Sequence, residues 1–219
     1  MSSFLLKMFA IITMSIDHIG LALFNNNLIY RSIGRIAMPI FAFQVGIGFS
    51  KTHSKPKYIL RMFITALISQ LPFFLMLYAS GVLNYSLNIC FTFTIALTTL
   101  YFIDLGKNNK LFYLVSLFPL LLSLVIPMDY GIYAVLLVLL FYLSKNNKFI
   151  ITIGMIAITV FYCFTKNTTI QAYMLFALPF LYFYNGTKGK NIKYWFYAFY
   201  PLHMLIIALI KIYISAIKI

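Results

Sequence analysis

The chain alternates between long apolar runs and short polar clusters along its whole length. A bilayer core of about 30 Å requires roughly 17–25 apolar residues per helix, and most runs meet that length. The pattern predicts an all-α fold, a polytopic membrane helical bundle of about nine transmembrane helices. The connections are brief, which indicates one domain over 1–219. The predicted spans are 3–24, 32–50, 58–79, 87–104, 111–127, 130–144, 149–165, 169–185 and 193–215.

The amino-acid composition supports a membrane protein. The chain is 63% apolar and only 9% charged, whereas soluble domains are about 45–50% apolar and about 25% charged. The first run is too long for the core of a signal peptide and has no small-residue cleavage site, so we expect it to remain as the first span. Two cysteines without ligand spacing predict neither a disulfide nor a metal site.

The basic residues lie mainly in alternate loops and predict the orientation. The net charge of +14 is therefore interpreted as a topology signal, with no nucleic-acid partner. Even-numbered loops are predicted to be cytoplasmic, which places the N-terminus in the cytoplasm. An odd span count then puts the C-terminus outside, where Lys211 and Lys218 fit poorly. The lysines of the even loops are Lys51, Lys55, Lys57, Lys107, Lys110, Lys145, Lys148, Lys188, Lys190 and Lys193.

A few ionisable side chains lie inside or beside the apolar runs. Such groups are costly in a bilayer and usually face a cavity or a partner. With the predicted orientation they gather between mid-membrane and the outer face, which indicates a polar cavity there. They are Asp17, His18, Arg31, Arg35, Asp129 and His203, with Asn88 in the same layer.

Arg31 and Arg35 are spaced to share one helix face. Residues four apart on a helix lie about 6 Å from each other, and guanidinium groups bind oxyanions in a bidentate manner. The chain has only three arginines, all between 31 and 61. The pair predicts a clamp for a phosphate or carboxylate; alternatively, one arginine pairs with Asp17 and the other extends to the outer interface.

Asp17 and His18 are adjacent, so their side chains point about 100° apart on a helix. They cannot orient each other, and each needs a partner on another span. Histidine changes charge near neutral pH, which suits His18 to proton transfer; a satisfied structural histidine is the alternative. His53, in a lysine-rich loop, is expected to be exposed to solvent.

The segment "FYAFYPLHMLI" at 196–206 combines a proline with polar side chains inside the last run. Pro201 lacks a backbone N–H and interrupts the helical hydrogen-bond ladder. Tyr197, Tyr200 and His203 recur at three-residue intervals and lie on roughly one face. The segment predicts a cavity-lining helix, or alternatively a kink packed on its neighbours.

These motifs resemble those of the TraX family, named for the protein linked to N-terminal acetylation of F-type conjugative pilin. The resemblance runs from end to end through "SIDHIGLALF" (15–24), "RSIGRIAMPIFAFQVGIGF" (31–49), "YILRMFITALISQLPF" (58–73), "LNICFTFTIAL" (87–97), "MDYGIYAVLLVLLFY" (128–142), "FALPFLYFYNGTKG" (176–189) and "FYAFYPLHMLIIAL" (196–209). The family in turn resembles transmembrane acetyltransferases that use cytoplasmic acetyl-CoA. One departure is Ile47, where a Glu or Gln is expected; Gln44, one turn earlier, is the candidate replacement.

The resemblance implies an acetyl-CoA-dependent N-acetyltransferase of the bacterial cytoplasmic membrane. Its acceptor would be the N-terminal amine of a pilin or another small exported peptide. Lys51 and Arg61, with Lys55 and Lys57, are expected to hold the phosphoadenosine end of acetyl-CoA, the co-substrate.

The expected catalytic roles follow the chemistry of amide formation. His18 is the expected general base, His203 the next candidate, and Asp17 or Asp129 would orient the base or the ammonium. Arg35 or Tyr200 would stabilise the oxyanion. Arg31 and Arg35 are expected at the reacting centre, or alternatively on the phosphates of acetyl-CoA.

Three other functions are compatible with the same sequence. An O-acetyltransferase would modify a surface glycan or lipid. A transporter or permease would use the buried charges as a substrate path and the proline as a hinge, although no internal repeat is visible. A pilus assembly scaffold would account for the membrane fold. It would not explain why Asp17, His18, Arg31 and Arg35 occur within the apolar runs. The sequence does not indicate the oligomeric state.

Overall fold

The computed structural model describes residues 1–83, 85–190 and 193–217, with the backbone alone for residue 193. Within these ranges the chain is helical, no β-strand forms, and one isolated parallel bridge joins Leu87 and Met128. The all-α prediction is confirmed. The helices are α1 Ser3–Ala22, α2 Leu28–Gly34, α3 Ala37–Lys51, α4 Lys55–Ala79, α5 Ile89–Gly106, α6 Leu111–Val115, α7 Leu117–Val125, α8 Gly131–Leu143, α9 Lys148–Lys166, a 3-10 helix Ile170–Ala177, α10 Leu178–Tyr182 and α11 Lys193–Ile217.

Among the described residues, six helical stretches are long and apolar enough to cross a membrane, so the chain is a multi-pass membrane protein. They are Ser3–Ala22, Leu28–Lys51, Lys55–Ala79, Ile89–Gly106, Lys148–Lys166 and Tyr194–Ile217. Three other predicted spans correspond to the shorter apolar segments Leu111–Val125, Gly131–Leu143 and Ile170–Tyr182. Helix α8 has 13 residues and is about 20 Å long at 1.5 Å per residue. The number of spans therefore stays a prediction.

The chain divides into two compact units. The first unit comprises Met1–Phe41, Leu67–Tyr85 and Cys163–Ile219. The second unit comprises Ala42–Ala66 and Ser86–Tyr162. Asp17, His18, Arg31, Arg35, Tyr200 and His203 all belong to the first unit. The single domain over 1–219 remains a prediction.

In the first unit, α1 and α2 form a helical hairpin joined by three asparagines. Asn25 and Asn26 adopt φ angles of 49° and 60°, and asparagine tolerates this left-handed region better than most residues. The side chain of Asn27 then caps α2 by accepting a hydrogen bond from the backbone N–H of Ile29 at 3.0 Å. The turn brings α2 back along α1, which places Arg31 and Arg35 beside Asp17.

The second predicted span, 32–50, lies within the candidate span Leu28–Lys51, which contains a local break between two helices. Helix α2 ends at Gly34 and α3 begins at Ala37. Pro39 explains the interruption, because its missing N–H and its ring disfavour a helical bond to the carbonyl of Arg35, four residues earlier. By contrast, α11 continues through Pro201, so the expected interruption of the ladder there does not end the helix.

The second unit is held together by aromatic packing and one ionic cluster. The rings of Phe43 and Phe141 meet edge-on at 5.3 Å and 90°. The carboxylate of Asp104, near the end of α5, binds the ammonium groups of Lys55 and Lys107. The Tyr142 hydroxyl on α8 donates to the same carboxylate at 3.3 Å. These contacts connect the start of α4 to α5 and α8.

Candidate functional site

The carboxylate of Asp17 is bound by both predicted arginines. Nη2 of Arg35 donates to both carboxylate oxygens at 2.8 Å, and Nη1 of Arg31 donates to one of them at 2.8 Å. Asp17 and Arg35 are each 8% exposed. The alternative in which one arginine extends alone to the interface is therefore wrong. Two guanidiniums and one carboxylate leave the cluster with a net positive charge, which attracts anions in a medium of low dielectric constant.

The close approach of α1 and α2 at this cluster depends on Gly34. A Cβ atom built on Gly34 would lie 2.1 Å from the Cβ of Asp17 and 2.4 Å from its carboxylate carbon. Real Cβ contacts are far longer than this, so a side chain at position 34 would push the helices apart or displace the carboxylate.

The substitution Gly34→Ala tests this packing. We expect it to lower the free energy of unfolding by about 1–3 kcal/mol, the usual range for overpacking, as measured by thermal unfolding in detergent. Ser32→Ala introduces the same residue two positions earlier on α2 and is the matched control. Equal stability of the two variants would contradict the proposed tight contact.

His18 contacts a second histidine on α11. Nδ1 of His18 lies 2.8 Å from Nε2 of His203, and the two rings are nearly parallel at a centroid distance of 5.0 Å. Nδ1 of His203 lies 2.9 Å from the backbone oxygen of Phe199. Asp17 and His18 thus each have a partner on another helix, which confirms the prediction made from their adjacency.

Aromatic rings surround His203. The ring of Phe199 stacks on it at 5.0 Å and 8°, and the ring of Tyr200 lies 5.7 Å away at 49°. Tyr200 and His203 are both buried. Two of the three residues on the polar face predicted for α11, Tyr200 and His203, therefore lie together, and His203 presents its imidazole ring to His18.

Three other predicted site residues lie in the second unit. Asn88 caps α5 by accepting from the N–H of Cys90 at 3.0 Å, and its amide donates to the oxygen of Ala66 at 2.8 Å. The backbone oxygen of Asp129 accepts from the hydroxyl of Thr92 at 2.8 Å. Gln44 is buried on α3. The contacts of Asn88 are those of a structural cap, and the predicted common layer with His18 stays a prediction.

The basic residues predicted to bind acetyl-CoA differ in their surroundings. Lys51 is exposed at the end of α3. The guanidinium of Arg61 lies over the ring of Tyr58 at 5.7 Å, and its buried Nε has no hydrogen-bond partner among the described residues. Lys55, by contrast, is engaged in an internal ion pair with Asp104.

One lysine within a predicted span is not among the predicted site residues. Lys7 lies half-buried on α1, with its ammonium 5.3 Å from the ring centre of Phe196 on α11. A cation over an aromatic face is stabilised by the ring quadrupole. Its position inside the run 3–24 was a signal, because charged residues within spans usually have a functional or pairing role.

Fold and site together define a class: multi-pass helical membrane proteins with a buried ion cluster and a histidine pair inside candidate spans. A family model described as "TraX protein" matches residues 2–211, nearly the whole chain. The chain belongs to the TraX family, as the motifs predicted.

Two relatives extend this comparison. The chain is 28% identical over 240 residues to the "Probable fimbrial assembly protein FimC, serogroup H1" of Dichelobacter nodosus, covering 98% of this chain and 97% of that protein. It is 47% identical over 73 residues to an uncharacterized protein (RP591) of Rickettsia prowazekii, covering 30% of this chain and 28% of that protein. No solved structure matches the chain.

Proposed function

We propose that this TraX-family protein is an integral membrane acetyltransferase. It would move an acetyl group from cytoplasmic acetyl-CoA to the N-terminal amine of a pilin or another small exported peptide, with His18 as general base. The printed name of the full-length Dichelobacter nodosus relative refers to fimbrial assembly, which supports an acceptor associated with pili.

One observation carries the enzymatic proposal. His18 on α1 is hydrogen-bonded to His203 on α11 at 2.8 Å. Helix α1 also carries Asp17, which lies between two arginines. A base next to a hydrogen-bonded partner, together with a positive cluster, would favour acyl transfer, because a proton leaves the nucleophile while negative charge develops on the carbonyl oxygen.

The other first-unit residues have complementary roles in this proposal. Arg31 and Arg35 keep a net positive charge beside the reacting carbonyl, and Asp17 holds both guanidiniums in place. Tyr200, next to His203, is a second candidate donor for the oxyanion. An α-amino group has a pKa near 7.7–8.0, so a fraction of the acceptor is already neutral at pH 7. His18 then has to remove only the proton released as the nitrogen attacks.

Arg61 and Lys51 would bind the phosphates of acetyl-CoA in the second unit. We expect Arg61→Gln to raise the KM for acetyl-CoA about tenfold with little change in kcat, because one charged hydrogen bond contributes about 1.5 kcal/mol or more. Initial-rate kinetics of the purified protein would measure this. Lys110→Gln, at an exposed lysine, is the control; the same KM for both variants would contradict the role of Arg61.

The proposed location is the bacterial cytoplasmic membrane, with the N-terminus in the cytoplasm. The lysine-rich loops support this orientation through the positive-inside rule. Acetyl-CoA would then enter from the side on which Lys51 and Arg61 lie.

Mass spectrometry of exported peptides and surface glycans distinguishes the candidate acceptors. Cells with and without the gene are compared for N-terminally acetylated peptides and O-acetylated sugars or lipids. We expect acetylated peptide N-termini only when the gene is present. If cells without the gene lose O-acetyl groups while their peptides are unchanged, the protein is instead an O-acetyltransferase. If neither peptides nor O-acetyl groups change, a transporter is favoured.

A further inference from the structure

The hydrogen bonds that join Phe199, His203 and His18 form a chain with one consistent direction. We propose that His203 is a positioning residue that holds His18 in its Nδ1–H tautomer, so that Nε2 of His18 is the basic atom. For two neutral imidazoles the tautomer follows from this geometry; its use in catalysis rests on the proposed function.

The backbone oxygen of Phe199 sets the direction of this chain. A carbonyl oxygen can only accept a hydrogen bond, so Nδ1 of His203, 2.9 Å away, must carry the proton. A neutral imidazole has one N–H and one lone pair. Nε2 of His203 therefore carries the lone pair and faces His18 as an acceptor.

His18 must then be the donor in the contact between the two rings. Its Nδ1, 2.8 Å from Nε2 of His203, carries the proton and donates it. The remaining ring nitrogen, Nε2, keeps its lone pair. This nitrogen is the atom that can accept a proton from an incoming nucleophile.

The surroundings of His203 keep this arrangement in place. Its ring stacks on that of Phe199 at 8°, and the side chain is buried. An in-plane rotation of the ring would lose the bond to the carbonyl and would leave a buried polar atom without a partner, at a cost of about 1–3 kcal/mol.

The proposed role fits the proton balance of amide formation. As the acceptor nitrogen forms its bond to the acetyl carbon, its proton passes to Nε2 of His18, and the positive ring is stabilised by the bond from Nδ1 to His203. The bond between the acetyl carbon and sulfur breaks, and Nε2 returns the proton to the departing thiolate. His18 ends neutral, and His203 never has to change its protonation.

Nitrogen NMR of histidine-labelled protein in lipid nanodiscs tests the tautomers without any need for enzymatic activity. The chain has three histidines, so His53→Gln and His203→Gln assign the signals. We expect His18 and His203 to show the Nδ1–H pattern of ring-nitrogen shifts and of couplings to ring protons. An Nε2–H signal for His18 would overturn the inference, whatever the protein catalyses.

Two substitutions of His203 separate positioning from other roles. The amide oxygen of Gln can take the place of Nε2 as an acceptor, whereas Leu cannot accept. We expect His203→Gln to keep the Nδ1–H signal of His18 and transfer activity within about tenfold, and His203→Leu to lose the signal and lower activity at least 100-fold.

The outcomes of this comparison are distinguishable. If His203→Gln keeps the His18 tautomer but loses as much activity as His203→Leu, His203 transfers a proton and the positioning role is wrong. If the His18 tautomer is intact in the wild-type protein but no variant or wild-type sample transfers acetyl groups, the proposed function fails while the tautomer assignment stands.

Discussion

Replacing His18 by glutamine is expected to lower the rate of acetyl transfer by about 10²- to 10⁴-fold, the usual contribution of a general base. Glutamine keeps a polar group near the position of Nε2 but cannot accept a proton at neutral pH. The measurement is the initial rate of acetylation of a peptide with a free N-terminus, normalised to the amount of folded protein in the membrane.

The control for this prediction is His53→Gln. His53 is exposed and lies in the loop between α3 and α4, away from the first unit's histidine pair in the sequence. We expect this variant to keep wild-type activity. If His18→Gln also transfers acetyl groups at the wild-type rate, His18 is not the base.

Replacing Asp17 by asparagine is expected to have the largest effect on stability. The substitution leaves Arg31 and Arg35 facing each other with no carboxylate between them, and Arg35 is 8% exposed. Removing one partner of a buried ion pair typically costs about 3–5 kcal/mol because the remaining charge is uncompensated. Thermal unfolding of the purified protein in detergent should show a large decrease in stability relative to the wild-type protein.

Two further variants show whether charge explains this loss. Asp17→Asn combined with Arg35→Gln removes one cation as well, so part of the stability should return. Lys107→Gln removes one cation bound to Asp104; the side chain of Lys107 is 58% exposed, so the change should cost about 1 kcal/mol or less. A double variant no more stable than Asp17→Asn would contradict the electrostatic explanation.

The helical architecture was predictable because lipid imposes a simple rule on the chain. Backbone groups in a bilayer must be satisfied within the segment, so each apolar run between polar clusters becomes a helix. All nine predicted runs contain helix in the part of the chain that the structure describes, and six helical stretches there have the length to span. Length alone does not decide whether a short apolar helix such as α8 crosses the membrane.

The need for partners at Asp17 and His18 was also predictable, since adjacent helical residues point in different directions. The identity of these partners was only partly accessible. Arg31 and Arg35 were recognised as a pair, but the binding of both to one carboxylate depends on the asparagine turn and on Gly34. His18 and His203 are 185 positions apart in the sequence. The periodicity of apolar residues does not indicate which residues so far apart in sequence come into contact.

Local departures from regular helix were the least predictable features. Pro39 separates α2 from α3, whereas Pro201 lies inside a continuous α11. The same residue type therefore has different consequences, which depend on how neighbouring helices pack around it. Likewise, the capture of Lys55 by Asp104 could not be foreseen, because the pair is separated by 49 residues.

Transfer of labelled acetyl groups by the purified protein in nanodiscs tests the central claim most directly. Wild-type and His18→Gln proteins are mixed with labelled acetyl-CoA and a peptide that has a free or a blocked N-terminus. We predict transfer by the wild-type protein to the free amine only, and a loss of at least 100-fold in the variant. Transfer that does not depend on His18, or no wild-type transfer to any acceptor despite a folded protein, would contradict the claim.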